Sequence, residues 1–142
     1  LGQELDGLNC LDLFAGSGAL GFEAASRGAA RVVMVEMGGR VHAVLKDNAE
    51  LLKASAVLEI RRMDALQYLA STQEKFDLIF LDPPYHKGWI ARLAPLMPGV
   101  LKADAAVYVE AEHEIEALGD WRTVRHGKAG EVHFHLLRQS DV

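Results

Sequence analysis

Strand-sized apolar runs recur along the chain at Asn9 to Phe14, Arg31 to Glu36, Val57 to Arg61, Phe76 to Leu81 and Ala105 to Glu110. Their apolarity is continuous rather than alternating, which predicts strands buried on both faces and therefore parallel. Between the second and third runs, Gly39 to Lys53 places Val41, Val44, Leu45, Asn48 and Leu52 on one helical face, with Arg40, Lys46, Asp47 and Lys53 largely elsewhere. That spacing predicts an amphipathic crossover helix. A first helix from about Gly18 to Arg27 should end at Gly28, a residue suited to a left-handed C-cap, and a later one from about Gly88 to Leu96 should stop before Pro98-Gly99. The pattern then changes. Trp121 to His126 and Glu131 to Arg138 are joined only by Gly127-Lys128-Ala129-Gly130, too short for a helix, which predicts a hairpin and an antiparallel finish to the sheet.

Alternation of strand and helix predicts an α/β, Rossmann-like, mostly parallel, doubly wound sheet, with ligands in the crevice beyond the carboxyl ends of its strands. With 142 residues, 50% of them apolar and 25% charged, a single domain is expected. No basic segment followed by an apolar one opens the chain and no apolar stretch is of membrane length, so a soluble, cytoplasmic, monomeric protein is expected. Cys10 is the only cysteine and lies in an apolar run, which points to core packing and excludes an internal disulfide. The net charge of −5 is at odds with a free-standing nucleic-acid binder. Because the chain begins at Leu1 rather than an initiator Met, a basic segment upstream is the expected resolution.

Gly16-Ser17-Gly18-Ala19-Leu20-Gly21 satisfies G-x-G-x-x-G between a strand and a helix start, and Glu36 closes the next strand 36 − 16 = 20 positions later. Glycines let the backbone approach a ligand, and a carboxylate at the end of the second strand can accept from both ribose hydroxyls. Any adenosyl ligand fits that description. Asp12 discriminates among them, because a carboxylate at the end of the first strand would face a dinucleotide's pyrophosphate. A ligand with a sulfonium and an α-ammonium gains from the same carboxylate, so Asp12 favours S-adenosylmethionine over NAD. Asp64-Ala65, just beyond the third strand, is placed to receive the adenine amino group.

The most specific signal is Asp82-Pro83-Pro84-Tyr85, a polar loop directly after the strand Phe76 to Leu81. Two prolines fix φ and remove two backbone donors, so Asp82 and the Pro83 carbonyl form an array of acceptors. An exocyclic amine on a base is a poor nucleophile because its lone pair is delocalised into the ring. Accepting both of its N–H bonds turns the nitrogen towards tetrahedral geometry and aims its lone pair at a methyl donor. Tyr85 offers a face for the base, worth about 1–3 kcal/mol, and a base in a duplex must first be flipped out. Alignment of this kind can supply roughly 7–11 kcal/mol of the barrier; the chemistry needs no metal.

Asp12-Leu13-Phe14-Ala15-Gly16-Ser17-Gly18 together with Asp82-Pro83-Pro84-Tyr85 resembles the bacterial 16S ribosomal RNA guanine-N2 methyltransferases of the RsmD family, within the class I S-adenosylmethionine-dependent methyltransferases. Gly21 to Ala29 and Gly130-Glu131-Val132-His133-Phe134 extend the likeness over nearly the whole chain. The resemblance implies a seven-stranded sheet with its last strand antiparallel. It implies cofactor contacts at Asp12, Phe14, Ala15, Gly16, Ser17, Gly18, Glu36, Asp64 and Ala65, and target contacts at Asp82, Pro83, Pro84 and Tyr85. The implied substrate is ribosomal RNA or the small-subunit particle. Members of the family also carry a basic segment with an Arg-Pro-Thr stretch before the first strand, which this sequence lacks.

Other readings share parts of the pattern. DNA adenine-N6 methyltransferases use an Asp-Pro-Pro-Tyr loop but commonly add a target-recognition domain, which these residues do not hold. Glutamine methyltransferases typically place Asn where Asp82 stands. An NAD-dependent oxidoreductase fits the glycine loop but not Asp12, and a non-catalytic binding module could retain the fold. His133 and His135 share a strand face, where a solvated or hydrogen-bonded face is expected rather than a metal site. Glu112, Glu114 and Glu116 read as solvated surface, and Trp89 and Trp121 as core.

Overall fold

The computed structural model of the protein describes residues 4–52, 56–84 and 87–139. Strands and helices alternate as β1 (Asn9–Asp12), α1 (Ala19–Ser26), β2 (Arg31–Val35), α2 (Gly39–Leu51), β3 (Leu58–Arg61), α3 (Ala65–Ser71), β4 (Phe76–Leu81) and α4 (Trp89–Leu93). A 3₁₀ turn over Ala94–Val100 then leads into β5 (Leu101–Ala111), β6 (Ala117–Leu118), β7 (Trp121–Ala129) and β8 (Val132–Gln139). All eight strands form one sheet in the order β3-β2-β1-β4-β5-β8-β7-β6. The pairings from β3 through β5 are parallel, while β8, β7 and β6 run antiparallel.

The α/β, doubly wound class and the antiparallel finish are as the sequence predicts. The implied seven strands are joined by an eighth, the two-residue edge β6. Side chains alternate across the sheet with period two. Leu11, Leu13, Val33, Val35, Ile79, Leu81, Val107 and Val109 face α3, α4 and the 3₁₀ turn through Tyr68, Leu69, Leu93 and Met97. Cys10, Val32, Met34, Leu78, Phe80 and Ala106 pack on the other face, against Ala24 of α1 and Leu45 of α2. Each fully buried Leu, Ile or Phe contributes roughly 1.5–3 kcal/mol by leaving water, so these two layers fix which strand ends come together.

Four local expectations are corrected. The helical face assigned to Gly39–Lys53 is rotated: Leu45 and Ala49 are buried, whereas Val41, Val44 and Leu52 are exposed, and Lys53 lies outside the described residues. A small residue, Ala49, is what seats against the sheet. The segment Ala65–Ser71 is a helix that the apolar pattern did not single out. The expected helix from Gly88 to Leu96 is α4 followed by a 3₁₀ turn that carries Pro98. The hairpin connection is shorter than the four glycine-containing residues suggested: Gly127, Lys128 and Ala129 pair within β7, and the turn is Gly130-Glu131, with Gly130 at φ 60°.

Candidate active site

Strand order brings the motif residues to one end of the sheet. β1 lies between β2 and β4, with Asp12 in register with Met34 on one side and Phe80 on the other. Asp12 therefore leaves the sheet between Glu36 and Asp82. It is a buried carboxylate, 1% exposed, and its Oδ1 accepts from Phe14 N at 3.4 Å. Burial, outweighing the Phe14 backbone bond, pushes its pKa up to about 7, with the carboxylates of Asp82 and Glu36 adding to the rise.

The glycine loop is tied to Glu36 directly. Gly16 N donates to Glu36 Oε1 at 2.9 Å and Gly38 N to Oε2 at 2.9 Å. Two backbone donors thus fix the carboxylate plane, and each oxygen keeps acceptor capacity for a hydroxyl. Gly16 (φ 54°) and Gly18 (φ 90°) adopt left-handed conformations. A Cβ at Gly18 would meet Phe22 Cε2 at 2.4 Å and Leu45 Cδ1 at 2.6 Å, so the loop closes tightly over α1 and α2. Gly21 serves helix packing: its Cβ would meet Met34 Cε of β2 at 2.6 Å. Ala15 is buried and donates its N–H to Val35 O at 3.0 Å, while Ser17 is exposed at the loop's tip.

Asp64, expected beside the adenine, has a structural role. Its Oδ2 caps α3, accepting from Leu66 N at 3.0 Å and Gln67 N at 3.2 Å, and Ala65 is the buried first residue of that helix. Phe14 stacks edge-on against Trp89, centroids 5.1 Å apart. Trp89, expected in the core, is only half-buried and carries the Arg92 guanidinium 4.3 Å from its centroid.

Asp82, Pro83 and Pro84 follow β4, with Pro83 buried and its two neighbours exposed. Tyr85 and His86 lie outside the described residues. A cleft of about 360 Å³ opens beside the loop, lined by Pro83, Pro84, Trp89, Glu110 and Glu112 among others. Glu110 is the residue that motif reading missed. Its carboxylate neighbours that of Asp82, and partial burial, then the charge of this neighbour, push the Asp82 carboxyl up to about 6. Among the described residues, none of Asp12, Glu36, Asp82 and Glu110 is paired with Lys or Arg. The crevice is thus electronegative, fitted to a cationic ligand and hostile to pyrophosphate.

Cys10, His135 and Trp121 resolve as packing. Cys10 is fully buried, its thiol pushed up to about 12 by burial and then by Asp77. His135 is buried, with Nε2 accepting from Ile115 N at 2.9 Å and Nδ1 donating to Val109 O at 3.2 Å, which fixes its neutral tautomer. His133 pairs with His126 at 2.9 Å, and Trp121 is core. Glu114 and Glu116 are exposed, but Glu112 lines the cleft. Among the described residues no helix is long and apolar enough to cross a membrane, and no group of three His, Cys, Asp or Glu side chains could hold a metal ion.

A parallel sheet carrying a glycine loop, an acidic second-strand end and an Asp-Pro-Pro loop over β4 defines a class I S-adenosylmethionine-dependent methyltransferase. The chain belongs to the family described as Conserved hypothetical protein 95, which matches residues 1–138. It is 37% identical over 136 residues to the ribosomal RNA small subunit methyltransferase D of Haemophilus influenzae, covering 91% of this chain and 70% of that protein. With the protein of the same name from Escherichia coli K12 it shares 36% over 135 residues, covering 92% of this chain and 68% of that one. A solved structure of a conserved hypothetical protein from Streptococcus pyogenes superimposes with a TM-score of 0.89 at 29% identity, covering 96% of this chain and 89% of that one.

Proposed function

We propose that the protein transfers a methyl group from S-adenosylmethionine to guanine N2 in small-subunit ribosomal RNA, acting as a cytoplasmic monomer whose 142 residues form one catalytic domain. The observation that carries this reading is the placement of Asp82 and Pro83 at the end of β4, one strand from Asp12 and the glycine loop. The names of the Haemophilus and Escherichia relatives support the RNA substrate.

In this reading S-adenosylmethionine supplies an electrophilic methyl group on a cationic sulfur. Glu36 accepts from the ribose hydroxyls, held in plane by Gly16 N and Gly38 N. Asp12 balances the positive charge of the methionyl end. Phe14, Ala15, Gly16, Ser17 and Gly18 wrap the ligand, and Asp64 and Ala65 stand by the adenine. Asp82 and the Pro83 carbonyl hold the amino group, with Pro84 and Tyr85 shaping the base's seat. As the amino nitrogen bonds to the methyl carbon, the carbon–sulfur bond would break to release S-adenosylhomocysteine, and the Asp82 carboxylate that accepts the N–H would take the proton the nitrogen sheds. Positioning supplies most of the rate.

The test is tritiated methyl transfer to naked small-subunit RNA, assembled small-subunit particles and DNA, followed by nucleoside identification. N2-methylguanosine from the RNA or the particle is the expected product. N6-methyladenine in DNA as the main product would overturn the substrate. Asp82→Ala should abolish transfer while preserving binding of S-adenosylhomocysteine.

A further inference from the structure

We propose that Glu110 selects guanine, by accepting the ring N1–H beside the amino group that Asp82 holds. The inference rests on the reading of the function above and names the residue that sets its base specificity. β4 and β5 pair with Leu81 opposite Val109, so the next residues, Asp82 just past β4 and Glu110 near the end of β5, lie side by side at the carboxyl edge of the sheet. Glu110 lines the cleft with Pro83, Pro84 and Trp89. Its Oε1 accepts from Tyr108 Oη at 3.1 Å, which holds the carboxylate in place from within its own strand. No Lys or Arg among the described residues neutralises it.

Two unneutralised carboxylates set side by side on neighbouring strands are best satisfied by two donors from a ligand. Guanine carries such a pair, because its N1–H and one N2–H lie side by side on the same edge and point the same way. Adenine offers one N6–H beside a bare N1 acceptor, and 2-aminopurine one N2–H beside a bare N1. A bare ring nitrogen facing the Glu110 carboxylate is repelled and leaves that carboxylate without a donor.

The experiment uses small-subunit RNA or particles into which guanosine or 2-aminopurine riboside is ligated at the modified position, assayed at pH 8. Both bases present an amino group at the same carbon, so the ratio of their kcat/KM values isolates N1. The wild-type protein should prefer guanosine by about 10- to 100-fold. Glu110→Gln, whose amide can either donate to or accept from N1, should bring that ratio to within a few-fold of one while still binding S-adenosylhomocysteine. An unchanged ratio in Glu110→Gln, or equal use of both bases by the wild type, would overturn the role of Glu110 and leave the methyltransferase reading standing. Absence of transfer to guanine in any RNA would instead overturn that reading, and this inference with it. Should Glu110→Gln lose S-adenosylhomocysteine binding, Tyr108→Phe removes the donor that fixes Oε1 and carries the same test. A fallen ratio then supports the role and an unchanged one overturns it.

Discussion

Gly16 donates its backbone N–H to Glu36 Oε1 at 2.9 Å, so the first glycine of the loop and the carboxylate twenty positions later form one rigid unit. Gly38 N occupies the other oxygen. Glu36→Gln keeps the shape but must turn an amide NH₂ towards one of these two donors. The expected result is a loss of about 1–3 kcal/mol in stability by thermal or denaturant melting, together with at least tenfold weaker S-adenosylhomocysteine binding by calorimetry. Unchanged affinity would remove Glu36 from the cofactor site.

Asp12 predicts a pH dependence. Burial first, then the charges of Asp82 and Glu36, raise its carboxyl from 3.8 to about 7 in the folded protein. A raised acid stabilises the fold while protonated, so its contribution is full below about pH 4 and is lost as pH rises through 7. The unliganded protein should therefore lose melting temperature between about pH 4 and pH 7, and Asp12→Asn should lose less. Ionised Asp12 is also the form that attracts a sulfonium, so affinity for S-adenosylmethionine should rise as pH passes through about 7 in the wild type and stay flat in Asp12→Asn. A rise of equal size in the variant would assign it to another group.

Asp64 caps α3 through Oδ2, so Asp64→Ala should cost about 0.5–2 kcal/mol of stability, while Asp64→Asn, an equally good cap, should cost little. Calorimetric affinity for S-adenosylhomocysteine should fall in the Ala variant and largely persist in the Asn variant. Full affinity in both would restrict Asp64 to its helix.

Gly18→Ala places a Cβ 2.4 Å from Phe22 Cε2 at a φ of 90°. Left-handed strain of roughly 1–2 kcal/mol adds to the overpacking, and the variant should melt well below the wild type and bind cofactor weakly. Gly99→Ala meets nothing within 4 Å and is the control, expected to shift stability by less than about 0.5 kcal/mol. Equal melting of the two variants would show that the loop yields around Phe22.

The parallel strands were legible because a strand buried on both faces needs continuous apolarity, and the glycine loop because its spacing is local. The face of α2 was not. Val41 and Val44 fall on an apolar stripe, yet the close approach of Ala49 and Leu45 to the sheet decides which side is buried. Gly127 reads as a turn residue, but only Gly130 needs a positive φ, so the ladder continues through Ala129. Glu110 escaped notice for a different reason: nothing near it in sequence marks chemistry, and only the register of β5 on β4 brings it to the cleft. Trp89 read as core because a Trp at the start of a helix looks like packing, and only the fold shows it half-buried on the cleft wall.

At the amino ends of the strands, Arg31 bridges Glu59 and Glu74, and Lys102 meets Asp77, whose carboxylate also accepts from Asn9 N. The charges there are matched, whereas those at the opposite ends are not. Durability and reactivity accordingly occupy opposite poles of one sheet. Substitutions that strengthen the Arg31 end can raise heat resistance without trading away turnover, and a library aimed at new base preferences can be confined to the other pole.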